Sequence, residues 1–454
     1  MLNTFRHTQR LVVIVTIYEE ARRGILTDEM KEVAKIEGVE PEVVRRGLAA
    51  GRIVILRNIK RAGRVKLVAV GEGMLTKVNA NIGTSNTLID LNMEIEKAKV
   101  AKKYGADTIM DLSTGGNLDV IRRKIMEAAE PLPLGTVPIY QAFMDVAVKK
   151  GAGLYMTEDD ILNTIEKHLK DGVDFMTLHV ALTKELAKKA VRSNRAEPIV
   201  SRGGSIIAAW MLEHDKENPL LTNFDYILEM FKEYDAVISL GDSLRPGALE
   251  DAHDELHLSE LIENARLVKR AREAGVQVML EGPGHVPLDR VIADVKMAKR
   301  LTEGAPYYIL GPLVTDIAAG YDHIAGAIGG ALAAAHGADF LCYVTPAEHL
   351  NLPNPEQVRE GVIAFRIAAH AADIVKYPER AMKVDIEMGR CRGKLDWECM
   401  INLSIDPDKA KEIRNQYGPT PLKSCNMCGS LCVFLLLEKW RKGLKASQPA
   451  SPAP

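Results

Sequence analysis

Residues 276–310 read VQVMLEGPGHVPLDRVIADVKMAKRLTEGAPYYIL, and this stretch decides the fold. An apolar, β-branched run at 276–280 passes into a Gly- and Pro-rich turn at 281–287. From 288 to 301 the apolar residues Leu288, Val291, Ile292, Val295, Ala298 and Leu301 recur at helical spacing, and a second β-rich run follows at 307–310. The pattern predicts a strand, a helix and a second strand; a helical crossover makes the two strands parallel.

The same rhythm extends in both directions. Further β-like runs fall at 65–70, 107–112, 135–141, 175–180, 198–200, 236–240 and 340–344, with helical stretches between them such as 94–104, 159–170 and 261–274. About eight or nine units over roughly 290 residues predict a closed (β/α)8 barrel of the TIM type with one decoration. A doubly wound open sheet is the alternative, but no Gly-x-Gly-x-x-Gly opens a helix after an early strand. The predicted organisation is a small N-terminal helical region (1–63), a catalytic barrel (64–375), a C-terminal helical arm (376–446) and a disordered Ser- and Pro-rich tail (447–454).

The chain has 454 residues, 47% of them hydrophobic and 26% charged, the composition of an ordinary globular enzyme. With 59 basic residues against 61 acidic ones, nothing draws it toward nucleic acid or an anionic membrane. The apolar run at 11–18 is too short for a signal core and ends in Glu19-Glu20. A cytoplasmic location is therefore expected, where thiols stay reduced.

Polar or Gly-rich clusters follow the predicted strands: Asn79 to Gly83, Met110 to Gly116, Tyr140-Gln141, His179, Ser201-Arg202-Gly203-Gly204, Asp242-Ser243-Leu244-Arg245, Glu281 to His285, and Glu348-His349. Barrel strands end on one face, so these clusters converge on one pocket. Arg202 and the amides around Gly203 suit phosphate, whereas Asn81, Tyr140 and Glu281 suit a ribose or a heterocycle. His285 and His349 end two converging strands, with Glu281 and Glu348 nearby, and form a candidate Zn2+ or other divalent site. Two hydrogen-bonded histidines without metal are the plain alternative.

Six cysteines occur, and three of them, Cys425, Cys428 and Cys432, lie within eight residues. Three thiolates hold a [4Fe–4S] cluster with one iron left open for S-adenosylmethionine. A zinc site completed by Cys391 or Cys399, or three unrelated thiols, would produce the same spacing. Cys342, inside a predicted strand, reads as core.

The segments GEGMLTKVNANIGTS (71–85), DTIMDLSTGG (107–116), GTVPIYQA (135–142), SRGG (201–204), GDSLRPG (241–247), EGPGHVP (281–287), YVTPAEHL (343–350) and CNMC (425–428) together resemble the phosphomethylpyrimidine synthases of thiamine biosynthesis, in a short form. The resemblance implies a (β/α)8 homodimer whose cluster arm reaches the partner's active site. It implies a radical lyase that turns 5-aminoimidazole ribotide into 4-amino-5-hydroxymethyl-2-methylpyrimidine phosphate, with formate and carbon monoxide. S-adenosylmethionine is consumed and an external one-electron reductant is needed. By motif, Asn81, Met110, Tyr140, His179, Ser201, Arg202, Gly203, Asp242, Ser243, Leu244, Arg245, Glu281 and Tyr308 would bind the ribotide. Glu281, Asp242 and Tyr308 would handle protons, His285 and His349 would hold the divalent ion, and Cys425, Cys428 and Cys432 the cluster. The gap before Cys432 is three residues, one fewer than in the family's best-known motif. A paralogous lyase making 5-hydroxybenzimidazole from the same ribotide is the nearest rival, and a non-catalytic ribotide- or metal-binding barrel is a second.

Overall fold

The computed structural model describes residues 15–418 and 422–441. The expected tail at 447–454 lies outside them, as do the first residues of the apolar run at 11–18. The chain divides into two compact units, Met1–Ala372 and Asp373–Pro454. Among the described residues no helix is long and apolar enough to cross a membrane.

The first unit is built on ten strands: β1 (Ile53–Leu56), β2 (Val68–Gly71), β3 (Lys77–Ile82), β4 (Thr108–Asp111), β5 (Leu134–Thr136), β6 (Phe175–Leu178), β7 (Val237–Leu240), β8 (Val278–Gly282), β9 (Tyr307–Leu310) and β10 (Phe340–Cys342). Strands β3 to β10 pair in sequence order, all parallel, and β10 closes on β3 with Phe340 opposite Lys77. The fold is the (β/α)8 barrel that the periodicity predicts.

Two predicted strands change place. The run at 65–70 becomes β2, paired antiparallel with β1 in a separate two-stranded sheet. Residues 198–200 form no strand and lead into the helix Arg202–His214. The first barrel strand is β3, KVNANI, whose two asparagines disguise it as a loop. They face the lumen: the Asn79 amide donates to the Tyr308 hydroxyl (2.8 Å), and Thr108 Oγ1 donates to Asn79 Oδ1 (2.7 Å). The 135–141 run is a three-residue strand followed by the helix Pro138–Lys150, so Tyr140 lies in a first helical turn.

The N-terminal region is helical at Ile17–Arg22, Asp28–Glu37 and Pro41–Ala49 and then forms the β1–β2 hairpin. It caps the barrel end opposite the polar clusters, and the residues that lead into β6, β7 and β8 hold it there. Arg61 pairs with buried Asp174 at 2.6 Å, the Ile17 amide donates to Asp235 (3.1 Å), and the Ile55 amide donates to Gln277 (2.7 Å). Above this floor Phe340 lies edge-on to Phe175 and stacks on Tyr308, 4.3 Å between centroids.

The second unit contains the helices Pro378–Lys394, Trp397–Leu403, Pro407–Asn415 and Val433–Arg441, with a short 3-10 turn at Gly429–Leu431. Cys391 and Cys399 form a disulfide with each other, so neither is left as a fourth ligand for the Cys425–Cys432 segment. The pairing departs from the reduced-thiol expectation; the start of the Trp397–Leu403 helix returns Cys399 beside the end of the preceding one.

Candidate active site

The strand C-termini surround an inner pocket lined by Asn81, Met110, Tyr140, His179, Ser201, Asp242, Arg245, Glu281 and Tyr308, all named by the sequence reading. It opens through Asn81, Leu112 and Tyr140 into an outer chamber of about 660 Å³ that also meets Arg202, Glu348 and His349. That chamber is large enough for a nucleoside-sized molecule.

Glu281 and Asp242 are the two carboxyls that line the inner pocket. Glu281 Oε1 accepts from Thr177 Oγ1 (2.6 Å) and Ser239 Oγ (3.3 Å). Asp242 Oδ1 accepts from Arg245 at 3.1 Å, while its Oδ2 is buried without a hydrogen bond. Burial raises both carboxyls well above the carboxylate range, the nearby Asp242 charge raises Glu281 further, and Arg245 opposes the shift in both. A pair so placed retains a proton near neutrality, which suits it to proton transfer.

One wall of the site is a helix terminus. Ser201 caps the helix Arg202–His214, its Oγ accepting from the Gly204 amide (3.2 Å) and meeting His179 Nε2 at 2.9 Å. The positive end of the helix dipole favours an anion there. Arg202 lies over the Tyr140 ring, 5.3 Å from its centroid. A Cβ on Gly203 would stand 2.2 Å from His179 Cε1, so the close approach requires glycine. Burial, then the Arg245 charge, lowers His179 to about 3 and keeps it neutral.

Three residues named from sequence, Gly203, Ser243 and Leu244, stand back from the pocket. The Ser243 and Leu244 amides donate to Glu260 (2.8 and 2.5 Å), and Leu244 is fully buried. They fix the loop that presents Asp242 and Arg245. Gly203 likewise acts through space it leaves for His179.

His285 and His349 meet with ring centroids 5.2 Å apart. The carboxylates at their Nδ1 atoms are Asp316 (2.8 Å) and Asp322 (3.5 Å), not the Glu281 and Glu348 expected from sequence proximity. Proximity along the chain misleads because Asp316 and Asp322 come from the loop and helix start after β9. Burial lowers the His285 pKa. An Asp316-held, neutral imidazole presents Nε2 as a metal donor, and the pair fits a divalent ion whose other positions go to water or substrate. His349 holds φ +61°, a left-handed conformation that only local packing sustains in a non-glycine residue.

In the second unit Cys425 is half-buried, Cys428 exposed and Cys432 buried. Backbone amides, that of Cys428 foremost, lower the Cys425 thiol toward thiolate. Gly429 turns the chain at φ +51°, and its amide donates to the Cys425 carbonyl (2.9 Å). Desolvation and the neighbouring thiols push Cys428 the other way, as expected of thiols crowded onto one turn, and that crowding suits an iron–sulfur cluster.

Cys342, read from sequence as core, is buried in the core cluster as expected, and it also meets the pocket. Its Sγ lines the inner pocket and accepts from Asn81 Nδ2 at 2.9 Å. Burial raises the thiol to about 12. The signal was available in principle: Cys342 ends a strand, the position where barrel side chains turn to the site.

A (β/α)8 barrel with a carboxyl pair in its pocket, a helix N-terminus at the pocket wall and a separate thiol triplet has the features of a cofactor-dependent barrel enzyme. The chain belongs to the Radical SAM ThiC family, whose model matches residues 16–439. It is 89% identical over 428 residues to the phosphomethylpyrimidine synthase of Ignicoccus hospitalis, covering 94% of this chain and 98% of that protein. It is 59% identical over 421 residues to the protein of that name from Sulfolobus acidocaldarius (93% and 98% covered). The Sulfurisphaera tokodaii one is 58% identical over 429 residues (94% and 99%).

Proposed function

We propose that this chain is a phosphomethylpyrimidine synthase, a radical lyase that rearranges 5-aminoimidazole ribotide into 4-amino-5-hydroxymethyl-2-methylpyrimidine phosphate for thiamine. The observation that carries the reading is the 89% identity to the Ignicoccus synthase over nearly the whole chain. The pocket supports it residue by residue. Ser201, Arg202 and the first-turn amides receive the phosphate, and Asn81 and Tyr140 face the ribose and the heterocycle. Asp242 and Glu281 pass the proton they retain as the sugar fragments, while Tyr308, raised far above the usual phenol range by burial, stays a hydrogen-bond donor. The enclosed barrel end orients the ribotide and excludes water.

Cys425, Cys428 and Cys432 would hold the [4Fe–4S] cluster, and His285 with His349 a divalent ion, zinc by donor type. Bound there, the cluster supplies the electron for reductive cleavage of S-adenosylmethionine, drawn from an external reductant.

A second copy of the chain is the partner we assign. The outer face of the helix Asp322–Ala335 carries Ile324 and Ile328, each about half exposed, with Leu332. Phe365 of the helix Pro355–Lys376 packs against Gly326 and Gly330, and Ile367 on that helix is also exposed. Exposed apolar side chains grouped in this way favour an apolar cover. The arm of one copy serving the other's site belongs to the same proposal.

Anaerobic turnover with aminoimidazole ribotide and S-adenosylmethionine tests the activity, and the pyrimidine phosphate mass is the expected product. A hydroxybenzimidazole mass would overturn the assignment. Normal 5′-deoxyadenosine formation by Cys428→Ala would overturn the cluster ligands.

A further inference from the structure

Outside the ribotide pocket, His253, His257 and Asp294 bring two imidazoles and a carboxylate together, with one donor atom from each inside a 4.8 Å span. Asp294 Oδ2 lies 3.0 Å from His253 Nε2 and 3.8 Å from His257 Nε2. Ligands about 2.0–2.1 Å from a tetrahedral ion stand roughly 3.4 Å from one another, so these separations bracket those of a single-ion site. We propose that His253, His257 and Asp294 form a second divalent-metal site, a two-histidine, one-carboxylate set for Zn2+ or a similar N/O-seeking ion with water completing the shell.

The surroundings are those of a built site. Asp294 is buried, and the Tyr307 hydroxyl donates to its Oδ1 (2.8 Å), which turns Oδ2 toward the imidazoles. Outer-shell hydrogen bonds of this kind orient metal-binding carboxylates. His257 is buried as well, and burial lowers its pKa, so it is neutral and ligand-ready. His253 sits at φ +63°, a left-handed conformation for a residue with a Cβ, and this strained turn places its ring against Asp294. The His253 amide lies 3.3 Å from His257 Nδ1. When Nε2 takes the ion, the imidazole proton moves to Nδ1 and this long contact is given up.

The place gives the ion a task. His253 and His257 flank the start of the helix Glu255–Ala274, beyond the loop that carries Asp242 and Arg245. Asp294 lies in the first turn of the helix Val291–Leu301, beyond the strand β8 that carries Glu281 and the loop that carries His285. One ion would tie together the segments that follow β7 and β8, the strands at whose ends Asp242 and Glu281 stand.

The test uses the full chain, stripped with chelator and titrated with Zn2+ and, separately, Co2+. A His285→Ala/His349→Ala background removes the other histidine pair, and the thiols report themselves by their sulfur-to-cobalt charge-transfer bands. The expected result is one Zn2+ equivalent retained in that background. Co2+ there should show visible d–d bands without an added thiolate band. Asp294→Asn, which keeps the Tyr307 hydrogen bond and the side-chain volume, and His257→Gln should each weaken that equivalent by at least tenfold. Zn2+ should raise the melting temperature of the parent but not of Asp294→Asn. Equal Zn2+ binding by parent and Asp294→Asn, or no equivalent in the background chain, would overturn the proposal and leave a hydrogen-bonded His–Asp–His cluster. If His257→Gln fails to fold, the Asp294→Asn comparison decides.

Discussion

Replacing Gly203 by alanine sets two effects of opposite sign against each other. Gly203 lies in the first turn of the helix Arg202–His214, where alanine gains on intrinsic propensity by at most about 1 kcal/mol. Against this, the new Cβ would stand 2.2 Å from His179 Cε1 and 2.5 Å from Nδ1. Favourable carbon contacts begin near 3.5 Å, so ring or helix must retreat by about 1.3 Å. Overpacking of this kind costs about 1–3 kcal/mol, which outweighs the helical gain. The His179–Ser201 contact of 2.9 Å is lost with the movement, and with it the register of the phosphate end. A displacement of about 1 Å in a positioning element lowers turnover by about 10²-fold. Denaturant titration and calorimetric binding of aminoimidazole ribotide measure the two consequences, and neither needs the cluster. The expected variant unfolds at lower denaturant and binds the ribotide at least tenfold more weakly. A more stable variant with native affinity would refute the close-approach argument and the phosphate assignment that rests on it.

Asp316→Asn should release the divalent ion of the His285–His349 pair about 10–100-fold more readily, measured by chelator competition. His179, neutral and lowered to about 3 by burial, titrates below the roughly 6.5 of an unfolded histidine. The unfolded chain therefore binds the extra proton as pH falls through that window. His179 alone should cost about 1.4 kcal/mol of stability at pH 5.5, and His179→Gln should flatten the acid slope by that amount. Cys342, held protonated by burial, should escape iodoacetamide at pH 8 in the native chain while Cys425 is alkylated, as peptide mass mapping would show. Ile328→Glu should convert a dimer to a monomer on light scattering; an unchanged mass would place the subunit contact elsewhere.

Much of this protein was legible along the chain. Parallel β–α units leave a two-period signature because each strand is buried on both faces and each helix on one, and residues 276–310 carry it almost undisturbed. The site residues were legible for a related reason: strand ends are where Asn81, Asp242 and Glu281 must lie if the barrel closes. The strand β3 escaped because a lumen-facing asparagine carries no hydrophobic signal, and the run at 65–70 misled because an antiparallel hairpin has the same composition as a barrel strand.

Tertiary structure alone decided which groups meet. Asp316 and Asp322, rather than the adjacent glutamates, orient His285 and His349, since loops fold across the barrel mouth from a different strand. Cys342 enters the pocket because β10 ends beside Asn81, and Cys391 finds Cys399 because two helices turn back on each other. The raised carboxyls of Asp242 and Glu281 have the same origin: a sequence names the acids, but only enclosure by the barrel removes the water that would keep both ionised.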